Sequence, residues 1–240
     1  MYVSATGLRP FHTKPINRMN TSRFSLVTIA VSLLLGSLTG CKKADDPTKG
    51  LSAKIQSIIP QADIDKLRQR GMIINEGSQP PNIEGIFASS PHTLVSPYDT
   101  DSYGAGYVFN DLTIRFSKQN TADQTAVVDI KNAGSTGTGV GGFLAGNGNQ
   151  FTFFAEIDLV DGSATAKQVR IFSGEITSAG IKNFYTTLLM KSKNDPTDRL
   201  IPVGAARVIK DGDGLASKQS SFRLNAAAQP KVLTADDATR

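Results

Sequence analysis

The chain has 240 residues, of which 26 are basic and 21 acidic, with two histidines, one cysteine and no tryptophan. A single cysteine excludes an internal disulfide framework, and so few histidines leave little material for a His-based metal or catalytic centre. The charges form no basic face of the kind that binds nucleic acid.

Residues 1–40 carry Arg9, Lys14, Arg18 and Arg23 and no acidic residue. Phe24 to Leu35 is a mainly apolar run, the length of a signal-peptide core and too short to span a bilayer comfortably, which takes about 20 residues. Leu38-Thr39-Gly40-Cys41 follows. This tetrapeptide looks like the bacterial lipobox, in which an apolar residue and two small ones precede the cysteine that receives lipid. The expectation is a removable signal over residues 1–40 and a mature chain that starts at an acylated Cys41. Met19 stands just ahead of the apolar run, so a start there would give a signal of more ordinary length. Removal of residues 1–40 takes away four basic residues and leaves the charges nearly balanced. Two or three acyl chains anchor a protein stably where one does not.

Residues 41–50 are polar and hold Pro47 and Gly50, which predicts a flexible tether. Residues 51–82 read as a helical lead-in and turn. Two short helices are expected between 51 and 71, with Pro60 in the first turn of the second, Ile64 and Leu67 on its apolar stripe and Gly71 as its stop. Gln79-Pro80-Pro81-Asn82 then marks a turn.

From Ile83 the period changes to two. Phe151, Phe153, Ala155, Ile157 and Leu159 fall on one face of a strand, as do Leu112, Ile114 and Phe116. Similar runs cover about 83–90, 105–118, 124–132, 138–145, 149–160, 166–177, 181–192, 201–210 and 218–224. Turns are signalled at Asn147-Gly148, Asp161-Gly162, Ser178-Ala179-Gly180, Asn194-Asp195-Pro196 and Asp211-Gly212. Eight to ten strands without intervening helices predict an all-β domain over 83–224, an antiparallel meander forming a barrel or a sandwich. Residues 225–240 are small and polar and read as a disordered tail.

The motifs that carry chemistry are few. Gly137-Thr-Gly139-Val-Gly141-Gly142 has the letters of a dinucleotide loop, but no helix opens after it. A Gly-rich strand with a bulge or close backbone contact is the expectation. His92 follows Pro91 and reads as a surface or turn residue. Asp211 and Asp213 flank Gly212 in a tight turn and are the candidate calcium ligands, with Asp99 and Asp101 behind them. Glu84, Glu156 and Glu175 stand on expected strands, but sequence alone does not bring any two of them face to face as a glycosidase requires. No catalytic residue, metal or cofactor is expected.

The segments Pro80 to Phe87, Ser173 to Ile181 and Val203 to Gly214 resemble uncharacterised lipoproteins of the Bacteroidota. Gly85-Ile-Phe87 also resembles the G-x-W of lipocalin-like barrels, with Phe in the place of Trp. The first resemblance implies no particular activity. With Lys42 after the cysteine, it implies the outer membrane rather than the inner one. Membrane contact is expected only through the lipid on Cys41, and no nucleic-acid partner is expected. The mature domain is then either a non-catalytic binding module for an unknown small ligand, or a structural or accessory protein that binds another envelope protein. Replacing Cys41 with Ser should move the protein from the membrane to the soluble fraction. Persistence of the variant in the membrane after high-salt washing would contradict the lipid anchor.

Overall fold

In a computed structural model, residues 51–222 are described. The expected signal over 1–40, Cys41, the tether and the tail from 225 lie outside them. Among the described residues no helix is long and apolar enough to cross a membrane.

Two short helices come first, α1 (Ala53–Ile58) and α2 (Gln61–Gln69). Ser52 caps α1, its side chain accepting a hydrogen bond from the Ile55 N–H. Pro60 is the N-cap of α2, where its missing N–H removes no helical bond. The second helix stops at Gly71, whose φ of +90° suits glycine. The Gly71 N–H returns to Arg68 O and the Met72 N–H to Leu67 O, which satisfies two terminal carbonyls.

Among the described residues twelve strands make one sheet. They are β1 (Ser78–Gln79), β2 (Gly85–Ser89), β3 (His92–Ser96), β4 (Val108–Phe109), β5 (Leu112–Asn120), β6 (Thr125–Asn132), β7 (Ser135–Asn147), β8 (Gln150–Asp161), β9 (Ala164–Ile176), β10 (Gly180–Asn194), β11 (Ala206–Asp211) and β12 (Leu215–Lys218). From β5 to β10 each strand is antiparallel to the next, a meander of hairpins. β2 pairs with β5, and β12 pairs with both β2 and β10, so the pairings return to the strand from which they began. Further along β10, its Tyr185–Leu189 stretch pairs instead with β11, which leads on to β3 and β4.

The all-β meander and the two lead-in helices match expectation. Several bounds differ. The expected strand at 201–210 begins only at Ala206, because Pro202 accepts the N–H of Ala205 in a turn and Gly204 adopts φ +84°. The last strand among the described residues is 215–218, and 219–222, within the expected run 218–224, form no strand. The run 105–118 is broken before Leu112, and β3 lies outside every expected run.

One face of the sheet is buried throughout, and the other is covered where the lead-in packs on it. Inward lie Phe87, Ile114, Phe116, Phe151, Phe153, Ile157, Phe172 and Phe184. Phe116 is their hub, meeting Phe151, Phe153 and Phe172 edge to face at centroid distances of 6.2, 5.5 and 5.6 Å. Such pairs add to the burial of apolar area itself. Outward, Ile55, Ile59, Ile64, Leu67 and Met72 of the lead-in cluster with Phe154, Val169, Ile171 and Val208. Arg70 fastens this layer, its Nη2 donating to the carbonyls of Ser96, Pro97 and Ala206 at 3.1, 2.9 and 2.7 Å.

The glycine run lies within β7, as expected for a strand with a bulge. The register with β8 shifts between Thr138 and Phe143. A side chain at Gly137 would meet Ile157, and one at Gly142 would overlap the Phe153 ring. The glycines therefore let β7 lie directly on the aromatic core.

Truncating Phe153 to Ala should lower stability by about 3–5 kcal/mol, because the ring is fully buried. Val140→Ala, at a position 80% exposed, should stay within about 0.5 kcal/mol of the parent. Urea unfolding of the two variants checks both; equal effects would contradict the inward placement of Phe153.

Candidate functional site

The aromatic filling stops partway along the interior. On β9 the inward column runs from Phe172 to Arg170 and Gln168, since these alternate residues share one face. Ala155 stands opposite Arg170 on β8, and Leu188 stands opposite it on β10. Arg170, Gln168 and Leu188 border a pocket of about 160 Å³.

The apolar part of the pocket wall is Ile130, Leu159, Leu188, Met190, Leu200, Ile201 and Ile209, with Phe109 at the β4 side. The polar groups are His92, Asn132, Ser135, Gln168, Arg170, Arg199 and Arg207, and no carboxylate is among the lining residues.

Two of the three arginines are matched. Arg207 grips Asp101 with Nε and Nη2, both at 2.6 Å. The guanidinium is also ringed by Tyr98, Tyr103 and Phe109 at 5.4, 5.3 and 5.2 Å from their centroids. Burial alone would raise Asp101, but the bonds from Arg207 and the Tyr103 N–H hold its carboxyl below the usual range. Breaking a buried pair of this kind by removing one partner costs about 3–5 kcal/mol. The pair ties the 97–107 loop to β11 beside the pocket. Arg199 lies 3.6 Å from Asp161.

Arg170 has no such partner. It is 7% exposed. Its Nε donates to Gln168 Oε1 at 3.0 Å, and its two terminal nitrogens find no acceptor among the described residues. Burial lowers its pKa to about 10, so it remains charged at neutral pH.

His92 is buried, which corrects the expectation of a surface or turn position. β3 inserts between β11 and β4, and the histidine ring is enclosed with the interior side chains. Its Nδ1 lies 3.0 Å from Ser89 Oγ. Burial first, and then the nearby charge of Arg170, push its pKa down to about 3. His92 is therefore a neutral imidazole at any physiological pH.

The acidic residues singled out in the sequence go elsewhere. Asp211 is buried and accepts from the N–H groups of Ser90 and Leu215, at 3.0 and 2.9 Å. Asp213 also accepts from the Leu215 N–H, at 3.0 Å. Burial raises Asp211 to about 6, helped by the hydrogen bond and charge of Asp213 and opposed by the two backbone amides. The two aspartates thus build a turn. Among the described residues no three His, Cys, Asp or Glu side chains gather as metal ligands. Glu84 is exposed and accepts from the Gln119 N–H at 2.9 Å. Glu156 is exposed and Glu175 half-buried.

Arg170 and Gln168 do not stand out in the sequence. The available signal is the odd spacing in Gln168-Val-Arg-Ile-Phe172, where apolar residues occur in both phases. Compared with known proteins, the chain matches no family model, no curated protein and no solved structure.

His92 and Asp211 give stability opposite dependences on pH. The folded-state pKa of His92 lies below its unfolded value, so the unfolded chain takes up a proton that the folded chain refuses, and stability falls as pH drops from 6.5 towards 3. The folded-state pKa of Asp211 lies above its unfolded value, so its contribution is complete below about 3.8 and is lost as pH rises through about 6. Relative to the parent, His92→Gln should gain stability progressively as pH falls below 6.5. Asp211→Asn should gain progressively as pH rises from 4 to 6. Each slope should approach about 1.4 kcal/mol per pH unit, the limit for one proton. Urea titrations across pH 3–7 test this; parallel curves for parent and variants would contradict it.

Proposed function

We propose that this chain is a bacterial envelope lipoprotein, anchored through lipid on Cys41 in the outer membrane, whose β domain is a barrel that binds a small ligand and catalyses nothing. Support for the anchor is the basic segment, the apolar run and Leu38-Thr39-Gly40-Cys41. Support for the barrel is the path of pairings through β10, β12 and β2 back to β5.

The observation that carries binding is the pocket itself. It is concave and sets polar groups, three arginines among them, at fixed places beside an apolar wall, so it can both orient a small molecule and bury part of it. Those polar groups suit recognition better than turnover. His92 cannot take a proton near neutral pH, Arg170 cannot give one up, and no carboxylate stands among the lining residues to act as general base.

Filling the pocket tests this. In the detergent-extracted full chain, small molecules of graded charge and size should include at least one class that raises the thermal midpoint. A ligand at one hundred times its Kd contributes about 2.7 kcal/mol. Leu188→Trp, at a lining position paired with Arg170, should fill the pocket and abolish that shift. The proposal fails if no class shifts the midpoint, if the shift survives Leu188→Trp, or if a bound molecule is chemically converted.

A further inference from the structure

We infer that the pocket binds a small organic carboxylate, with its carboxylate on the terminal nitrogens of Arg170 and its apolar body against the aliphatic wall formed by Leu159, Leu188, Met190 and Ile209. The inference rests on the binding-module reading above and names the ligand class for that pocket.

Four lining groups can carry positive charge, Arg170, Arg199, Arg207 and His92. Arg207 is neutralised by Asp101 and Arg199 faces Asp161. His92 is neutral, which leaves Arg170 with the one uncompensated charge. A buried, unpaired guanidinium is costly, and an anion bound beside it removes that cost. The demand is thus for a single negative charge.

The free donors of Arg170 set the geometry. Gln168 Oε1 occupies the Nε–H of Arg170. What remains is the pair of terminal nitrogens, the end of the fork that a carboxylate meets with two parallel hydrogen bonds. If Ser89 donates its hydroxyl hydrogen to His92 Nδ1, the ring proton stands on Nε2, which no described residue accepts, and His92 is a second donor in the same pocket.

The size is argued from the volume. A cavity of about 150 Å³ accommodates a benzene-sized guest, and this one is about 160 Å³. An acid of roughly six to nine non-hydrogen atoms fits. The aliphatic walls disfavour a hydrated inorganic anion, and the limited volume disfavours a long acyl chain.

Isothermal titration of the full chain in detergent with matched series tests the inference. Hexanoate and benzoate should bind. Hexan-1-ol and benzyl alcohol, of similar shape without the charge, should bind at least tenfold more weakly. Hexylamine and inorganic phosphate should not bind measurably. Arg170→Gln should weaken hexanoate at least tenfold and leave the alcohols within about twofold of the parent, which also shows that the variant retains the pocket. Arg170→Lys should keep part of the preference for the acids, and if Arg170→Gln does not fold, this variant and the ligand series on the parent decide the matter. Alcohols or amines that bind as tightly as the acids, or acids indifferent to Arg170→Gln, would overturn the carboxylate assignment while leaving a binding pocket in place. Palmitate binding tighter than hexanoate would overturn the short apolar body. If none of the series binds and other small molecules also fail, it is the binding module itself that falls.

Discussion

A charged guanidinium enclosed by aliphatic side chains must either find acceptors or carry the cost of lost hydration, and the upper half of this interior is arranged around one. Arg170 follows Phe172 in the inward column of β9, where the aromatic filling ends. Its neighbours accommodate it in separate ways. Gln168 accepts the Nε–H. His92 is held neutral beside it, so that two like charges do not share the space. The nearby carboxylates are already engaged, Asp101 with Arg207 and Asp211 with two backbone amides. Nothing in the described protein completes the pairing, and the pocket is the space left over.

An arginine can face inward because this strand is buried on its other side too. In a strand with one wet face, Val169 and Ile171 would mark the core and Arg170 the solvent. Here the lead-in helices cover the outer face of β9, so Val169 and Ile171 pack beneath Ile55, Ile59 and Ile64. The inner face is thereby free to carry polar residues. Helix packing on one surface and a buried arginine on the other are two aspects of the same arrangement.

This also explains how far the sequence could be read. The alternation from Phe151 to Leu159 located the inner face of β8 correctly, because Glu156 and Asp158 opposite are exposed. The glycine run was legible as a strand because no helix could follow it. The lead-in helices were legible from Pro60, Gly71 and the Ile64–Leu67 spacing. The pocket was not, because its key residues lie where the period-two signal is ambiguous. Around Arg170 both phases are buried, and only the tertiary position of the helices settles which points inward. His92 was obscured for a related reason. Pro91 and the neighbouring polar residues suggest a surface turn, whereas β3 is enclosed by β4 and β11, partners distant enough in sequence to leave no local trace.

The shared outer core sets the boundary of the folding unit. The change of pattern at Ile83 invites a cut there, with the preceding residues treated as a dispensable arm. Such a cut would strip the cover from Phe154, Val169, Ile171 and Val208, leaving a contiguous oily surface on the wall that backs Arg170. It would also remove Arg70 from the carbonyls of Ser96, Pro97 and Ala206. The shortest fragment that retains its own wrapping therefore begins at Leu51, whose side chain already belongs to that core.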